Sequence, residues 1–556
     1  MTGGRGGRTG PGRPGASRPE EGRARESLLR RALRALTAGG GWLGLASAGL
    51  FLAAYNLQLF PVHLVVLVPA LVWMERAASF RQAARRAAVS AALMQLGGGL
   101  WFLSLLRYSV LAPIICFIGP AYYVLWTAAV LISSDWLRRR LRWPLWATLP
   151  LVWVLHDCLM GFGDLRLQFV RWCHMLTFFP STLQFTEWTG PDGASLWVVG
   201  VNALLFESWR AWRSGRRKVS LASLVVAVGL AVAVPVYGVA RMRQVGREMA
   251  AAERWCDSVA LQPNIDVPRK QDRSLIEENT ESILALARQS TQGAALVVMP
   301  ESSLPGGIRH FLALSDRPSL GPFAALAREG SFHLLVGTEY VRIRTRDDLD
   351  IFNAAFLLGP DGEIVDWNAK AWVLPIVEGL PYLPRLGINR IPIGGSTLLG
   401  QLGGMALGEM GRPLVVREAM PVGKIGVVIC SEEFYGAITR KLARNGAELI
   451  ANMSEDTWYA GSPILMKFLS RMIVARVIET RRSCVRAANT GISGFVTPDG
   501  VFHDATAQWT RTAVRRSLPV LTRQTFYVRH GAWLALVSAI WLTLAAAGAL
   551  FRKPPA

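Results

Sequence analysis

The sequence predicts a multi-span α-helical membrane domain of about eight helices carrying one α/β domain outside the cytoplasm. Three observations predict it. Uncharged apolar stretches recur at about 41–57, 60–74, 89–106, 110–133, 145–161, 193–208, 219–240 and 532–550, several near the ~20 residues a helix needs to cross a bilayer. Arginine and lysine concentrate in alternate connections between these stretches. One long polar segment, 241–531, alternates strand-like and helical patterns, as a sheet layered with helices does.

Charge placement sets the expected topology. The 556 residues carry a formal net charge of +22, and the mean hydropathy of +0.28 is high for a soluble chain. So large a basic excess raises nucleic acid as a partner, and the position of the charges argues against it. With the basic N-terminus in the cytoplasm, the other cytoplasmic connections become ERAASFRQAARRA, SDWLRRRLRWP, ESWRAWRSGRRK and the tail FRKPPA, all rich in Arg or Lys. On the opposite side NLQLFP has none and LRYSVLAP has one. This is the positive-inside pattern. The expected division is a basic, disordered N-terminus over 1–40, turning helical near ESLLRRALRAL, then a seven-helix membrane domain over 41–240. An extracytoplasmic domain over 241–531, a last span over 532–550 and a cytoplasmic tail over 551–556 follow. The stretches at 60–74 and 193–208 are the shortest, and a re-entrant segment at either would invert everything after it.

Within 241–531, CDSVALQ, AALVVMP, FHLLVGTEYV, IFNAAFLL, KIGVVIC, AELIANM and SCVRAAN read as strands. DRSLIEENTESILALARQS, RPSLGPFAALAREG and ILMKFLSRMIVARVIETRR read as helices. Pro-Asp-Gly at 360–362 and 498–500 separates strand-like runs and predicts two hairpins. Six cysteines (116, 158, 173, 256, 430, 484) form no CxxC pair, and seven scattered histidines form no HExxH. No phosphate-binding GxxxxGK[ST] loop and no GxSxG elbow is present. A metal centre is therefore not expected. Spans with few internal ionisable residues also weigh against a transporter.

Three strand ends carry ionisable residues. AALVVMP runs into Glu301, EIVDWNAK into Lys370, and KIGVVIC ends at Cys430. Element ends on a rigid scaffold are where separate side chains converge on a site. Each residue alone reads as packing or a solvated charge, and only the set is informative. Acids at Glu432 and Glu433 should raise the Cys430 pKa and blunt it as a nucleophile. Lys370 brought close would favour the thiolate, while Glu301 would accept the proton as attack proceeds. His333, within an apolar strand, reads as core, and Cys116 and Cys158 as packing in the spans. Cys173, Cys256 and Cys484 face an oxidising compartment, which leaves disulfide pairing open. Cys173–His174 is weak as a metal pair.

The segments VVMPESS, NAKAWVLPIVEGLPY and VVICSEEFYG resemble the Glu, Lys and Cys segments of the nitrilase superfamily. That resemblance implies an αββα sandwich with a Glu-Lys-Cys catalytic set. Joined to the membrane spans, it is similar to the apolipoprotein N-acyltransferase family, as are LQFTEWTGPDGASLWVVGVNALLFE, MSEDTWYAGS, ETRRSCVRAANTGISGFVTPDG and RQTFYVRHGAW. The resemblance implies Glu301 as general base, Lys370 as oxyanion-stabilising cation and Cys430 as nucleophile. Glu378 matches the family's second glutamate and Glu432 its further acid, both orienting the site. Trp458 and Tyr459 match an aromatic pair beside the substrate, and the Arg and Asn of RAANTGIS are expected to frame a sheet edge. Three departures bear on substrate handling. Ser431 stands where Tyr commonly follows the cysteine, Lys270-Gln271 where Lys-Trp often follows the QxNI segment, and the Gly-rich IPIGGSTLLGQLGGMALGEMGRPLVV is longer than usual. Residues 393–410 are a candidate lid, and WVLPIVEGLPYLP is a second apolar loop.

The implied reaction moves an acyl chain from a membrane phospholipid, through a Cys430 thioester, to the α-amine of diacylglyceryl-modified apolipoproteins. It uses no metal, nucleotide or organic cofactor. The implied location is the bacterial cytoplasmic (inner) membrane, with the catalytic domain on the periplasmic or outer side. Two rivals stay open at this point: a membrane-tethered amidase using water, and a non-catalytic lipoprotein-binding relative.

Overall fold

A computed structural model describes residues 3, 40–98, 112–304, 308–311, 320–343, 349–375, 378–379, 382, 405–417, 420–459 and 462–551. Its N-terminal part is helical. Helices of eight residues or more are α1 (Trp42–Asn56), α2 (Val68–Glu75), α3 (Phe80–Gly98), α4 (Ala112–Leu141), α5 (Leu149–Leu159), α6 (Pro191–Arg213) and α7 (Arg217–Ala250).

Several of these differ from the expected spans. The 60–74 stretch is not one helix: Pro61 and Pro69 each sit in a first turn, giving Phe60–His63 and α2, the position where a missing N–H costs no hydrogen bond. Arg81, Arg85 and Arg86, expected in a loop, lie inside α3. Ala83, Ala87, Ala91 and Met94 are buried at helical spacing, so an amphipathic helix leaves Arg81 and Arg85 exposed, while Arg86 donates to the Trp73 carbonyl at 2.7 Å. Likewise Arg138 and Arg139 are the last turns of α4, each paired with Asp135 at 2.7 Å. α7 passes the expected boundary at 240 and ends at Ala250. Among the described residues two helices, Phe117–Leu141 and Arg217–Ala250, are clearly long and apolar enough to cross a membrane, rather than eight. Shorter apolar helices include Leu145–Leu159 and Trp533–Ala549. Most of 1–40, 99–106 of the third stretch and 552–556 of the tail lie outside the described residues.

The C-terminal part is an αββα sandwich. Its strands are β1 (Trp255–Gln262), β2 (Leu296–Val298), β3 (Ile308–Phe311), β4 (His333–Ile343), β5 (Leu349–Leu358), β6 (Ile364–Ala369) and β7 (Leu414–Val415), then β8 (Lys424–Ile429), β9 (Leu449–Ser454), β10 (Ser483–Ala488), β11 (Gly494–Val496), β12 (Phe502–His503) and β13 (Thr512–Pro519). One sheet has the order β13-β1-β2-β4-β5-β6, with β3 beside β4, and the other β12-β11-β10-β9-β8-β7. The strands β1, β2 and β4 are mutually parallel, as are β8, β9 and β10. Both Pro-Asp-Gly turns close antiparallel hairpins, β5–β6 and β11–β12.

Alternation along the strands builds the layers. Ala260, Val298 and Leu335 meet Ile425, Met453 and Val485 between the sheets. Val259, Val297 and Leu334 face the other way, toward α8 (Ile276–Ser290) and α9 (Pro322–Gly330). On the far sheet Val428 and Ile450 face α10 (Gly436–Arg444) and α11 (Pro463–Thr480), and that cluster is continuous with the helical region. The rings of Tyr55 and Phe468 lie 4.9 Å apart across this junction. Glu187 accepts from Arg241 and from Arg481, both at 3.0 Å. The chain closes with α12 (Trp533–Phe551).

Arg486 and Asn489 do not frame a sheet edge. β10 is an interior strand, and the fully buried Arg486 pairs with Glu433 at 2.7 Å and Asp456 at 3.0 Å. Cys158, Cys173, Cys256, Cys430 and Cys484 are all free. His333 is buried in β4, as expected.

Candidate active site

Each of the three expected residues follows directly from a strand end. Glu301 lies just beyond β2 and is 6% exposed. Its Oε1 accepts from Asn353 Nδ2 at 2.6 Å and its Oε2 from the Glu455 N–H at 2.9 Å. Gly337 of β4 makes room for this turn: a Cβ there would sit 2.3 Å from the Pro300 carbonyl oxygen.

Lys370 follows β6, is 1% exposed, and donates its N–H to the Asn353 carbonyl at 2.8 Å. Its Nζ pairs with Glu378 Oε1 at 2.6 Å, and Glu378 Oε2 accepts from the Leu374 N–H at 2.7 Å. The carboxylate thus holds both the ammonium and its own loop. Most of the candidate lid, 393–404, lies outside the described residues. Its last part is stitched to this loop, with the Met405 N–H on the Glu378 carbonyl at 3.1 Å and the Gly408 N–H on the Lys370 carbonyl at 2.9 Å.

Cys430 ends β8 with φ at +51°, a left-handed conformation that is uncommon for a residue with a side chain. It opens a tight 3₁₀ turn, Cys430–Phe434. Glu432 in that turn accepts from the Ile429 N–H at 2.9 Å and, across the site, from the Ala371 and Trp372 N–H groups at 2.7 and 3.2 Å. One carboxylate therefore ties the cysteine loop to the lysine loop. Its neighbour Glu433 pairs instead with Arg486. Ser431 is 2% exposed, and its hydroxyl has no hydrogen-bond partner among the described residues.

The three groups influence one another's ionisation. Burial pushes the Cys430 thiol well up, Glu301 adds to this, and Lys370 opposes both. Burial raises Glu301 against the pull of Lys370. Burial works against the Lys370 cation, but Glu378, Cys430 and Glu301 together hold it above its ordinary value. The resting site is thus a neutral thiol beside a fixed ammonium, with a carboxyl of raised proton affinity facing both. Cys430 remains partly reachable from solvent, while Lys370 and Glu301 are not.

Sequence reasoning missed the groups that aim Glu301. Asn353 sits mid-strand in the otherwise apolar IFNAAFLL, and that isolated buried amide was its signal. Glu455 pairs with Lys270 and accepts from Asn489 Nδ2 at 2.9 Å. The Lys270 position is therefore occupied by a working ion pair. Trp458 and Tyr459 have their backbones in the turn Asp456–Tyr459, and their side chains lie outside the described residues. Among the described residues no group of His, Cys, Asp and Glu is arranged to hold a metal.

Residues 259–524 match the family model for carbon-nitrogen hydrolases. Residues 46–204 match that for the apolipoprotein N-acyltransferase N-terminal domain. The chain is a nitrilase-superfamily protein related to the bacterial apolipoprotein N-acyltransferases. The relationship is at low identity. The apolipoprotein N-acyltransferase of Geobacter metallireducens is 26% identical over 380 residues, covering 67% of this chain and 68% of that one. That of Thermotoga maritima is 26% identical over 393 residues, covering 70% and 68%. A solved carbon-nitrogen hydrolase from Helicobacter pylori is 15% identical, covers 52% of this chain and 94% of its own, and superposes with a TM-score of 0.34. This nitrilase-superfamily protein is membrane-associated, with at least one or two spanning helices.

Proposed function

We propose that this protein is an N-acyltransferase that moves a fatty acyl chain from a membrane phospholipid to the α-amine of diacylglyceryl-modified lipoproteins. The observation that carries the reading is the Glu432 tie, which holds Cys430 against the Lys370–Glu378 pair, with Glu301 facing both. In the first half-reaction the Cys430 sulfur attacks the donor's ester carbonyl as its proton passes to Glu301. The Lys370 ammonium and a backbone N–H after Cys430 stabilise the oxyanion. The ester C–O bond breaks, the lysophospholipid oxygen takes the proton from Glu301, and a thioester remains. In the second, the lipoprotein amine attacks the thioester, an amide C–N bond forms and the C–S bond breaks. The amine's proton returns through Glu301 to sulfur. A raised Glu301 suits it to this traffic, since a base is most useful near the operating pH. Ser431 is assigned a supporting place beside Cys430, and Trp458 and Tyr459 are assigned to substrate binding.

The membrane arrangement belongs to the same proposal: eight spans over 41–240 and 532–550, both termini in the cytoplasm of a bacterium, and the catalytic domain over 241–531 on the periplasmic or outer side. Support comes from an aromatic level shared by two helices. Trp188 Nε1 donates to Tyr237 Oη of α7 at 3.2 Å, and Trp533 Nε1 of α12 donates to the Trp188 carbonyl at 2.9 Å. From Tyr237 back to the basic Arg217 is roughly 20 residues, or ~30 Å of helix, which is the thickness of the hydrocarbon layer. From Trp533 forward, α12 runs 19 residues to Phe551, just before Arg552 and Lys553. Aromatic residues favour the interface and basic ones the cytoplasmic side.

Intact-mass spectrometry of the protein taken from membranes tests the chemistry. An acyl adduct is expected on wild type and is expected to vanish in Cys430→Ala; an adduct that persists in the variant removes Cys430 as nucleophile. Adding a diacylated lipopeptide should transfer the chain to the peptide amine. Release as free fatty acid instead would assign the site to hydrolysis.

A further inference from the structure

The catalytic loops are touched from outside the sandwich by one connection of the helical region, residues 160–171 between α5 and the turn Trp172–Met175. Asp164 Oδ2 accepts from the Tyr382 N–H at 3.0 Å, four residues beyond Glu378. The Arg166 carbonyl accepts from Tyr435 Oη at 2.8 Å, five residues beyond Cys430. The Arg166 guanidinium lies over the Trp372 ring, 4.6 Å from its centroid and two residues beyond Lys370. Trp372 and Tyr435 are themselves packed edge to face, with centroids 4.7 Å apart. Arg166 thus stands at the rim of the site, in contact with both of its loops.

What it lacks is an anion. Among the described residues no carboxylate pairs with the Arg166 guanidinium, whereas Arg171, five positions on, pairs with Asp192 at 2.6 Å. The undescribed segment 383–404 contains no Asp or Glu that could supply one. Asp164 is already engaged by the Tyr382 N–H. Stacking on Trp372 uses the face of the guanidinium and leaves its in-plane N–H donors to a ligand. A planar fork of donors suits a phosphate, which it can hold bidentately. The same stretch of chain exposes large apolar side chains: Leu159 and Phe162, seven and four positions before Arg166, are 45% and 68% exposed. A cation with no acidic partner, seated on an indole in a connection that exposes apolar side chains, fits an anion that arrives attached to acyl chains.

We infer that Arg166, stacked on Trp372, binds the phosphodiester of the acyl-donor phospholipid and so presents its ester to Cys430. The inference rests on the acyl-transfer reading and adds the group that recognises the donor. Lys370 cannot take this part, because Glu378 holds it and the oxyanion needs it. Inorganic phosphate shares the recognised chemistry, and the experiment separates the two sources.

The test uses the full chain in detergent micelles and follows acyl-adduct formation on Cys430 by intact mass. Two donors carry the same chains, dipalmitoyl phosphatidylglycerol and the uncharged dipalmitoylglycerol. In Arg166→Ala and Arg166→Gln the ratio of phospholipid rate to neutral-donor rate should fall roughly tenfold to hundredfold, the size of a lost charge-assisted contact. Arg166→Lys, which keeps the charge without the stack, should recover part of the ratio. The neutral donor doubles as the control for a folded site. An unchanged ratio overturns the inference, whether both rates fall together, as for a residue that only braces the loops, or neither does. Inorganic phosphate that suppresses wild-type acylation from the phospholipid at concentrations no higher than the lipid's would assign the cation to free phosphate and overturn the lipid assignment. Absence of such competition supports it. A wild type that forms no adduct from either donor overturns the acyl-transfer reading and this inference together, whereas a changed Arg166 ratio cannot arise in that case.

Discussion

The outer helices of the two sheets, α8 (Ile276–Ser290) and α11 (Pro463–Thr480), occupy equivalent places in the sandwich but meet different surroundings. α8 buries Ile283, Leu284, Leu286 and Ala287 and exposes Glu277, Glu278, Glu281 and Arg288. It is the ordinary amphipathic solution for a helix with water on one side. α11 is buried on nearly every face after its first turn, from Leu465 to Thr480. Apolar residues all round require a second cover, and the helical region supplies it through Tyr55, Phe169 and the 172–175 turn. Its ion pair is internal, Arg476 with Glu479 at 2.6 Å, both fully buried, while Lys467 and Arg471 lie over the Phe178 ring. One helix faces solvent and the other is the floor on which the site is bolted to the membrane part. Catalytic competence is therefore expected to depend on the α11 side and to tolerate change on the α8 side.

Breaking the buried pair should have the largest effect. Arg476→Met leaves the fully buried Glu479 without its partner, which costs roughly 3–5 kcal/mol when one member of a buried pair is removed. Arg476→Met with Glu479→Leu together should recover most of that loss, read as the thermal transition of the purified protein in detergent. A single variant as stable as wild type would dismiss the electrostatic half of the comparison. Next comes Phe468→Ala, which removes a ring packed on Tyr55 and Phe169 and should cost about 3–4 kcal/mol. That loss should be accompanied by proteolytic separation of the sandwich from the helices at lower temperature.

Acid–base behaviour sharpens the contrast further. Burial pushes Glu432 up to about 7 and Glu433 up to about 8, against the N–H groups and arginine that hold them. Both folded values lie above the usual 4.5. Their contribution to stability is therefore present below pH about 4.5 and is lost as pH rises through 7 to 8. For Glu432 alone the difference is worth roughly 3 kcal/mol at most. Glu432→Gln should flatten the fall in melting temperature between pH 5 and pH 8, and an unchanged slope would contradict the assignment. The same variant should slow Cys430 acylation, because the tie to the Ala371 and Trp372 N–H groups is weakened. The smallest effect belongs to α8: Arg288→Ala, removing an exposed pair with Glu329 at 3.1 Å, should change stability by less than about 1 kcal/mol.

Much of the site was legible because the apolar runs stop at it. AALVVMP, EIVDWNAK and KIGVVIC each end where a strand leaves the sheet, and although each residue alone reads as packing or a solvated charge, the three together in this order resemble a known catalytic set. The hairpins were legible from Pro-Asp-Gly. The supports were not. Asn353 and Glu455 act across 52 and 154 positions from Glu301, and no local pattern encodes contacts of that range. Arg166, reaching across to Tyr435 over 269 positions, is the extreme case. The helix limits failed for another reason. Arg81, Arg85 and Arg86 lower the local hydropathy of α3 without lowering its helix propensity, so a reading by apolarity stopped where the helix did not.

At 34 residues α7 is ~51 Å of helix, some 20 Å longer than the oily layer it is proposed to cross. The overhang begins just past Tyr237, and its Arg241 grips Glu187, which Arg481 grips from the end of α11. A rod of fixed length in a thinner or thicker sheet of lipid changes its lean. In the proposed membrane arrangement, any change of lean would load the end of α11 through that one carboxylate.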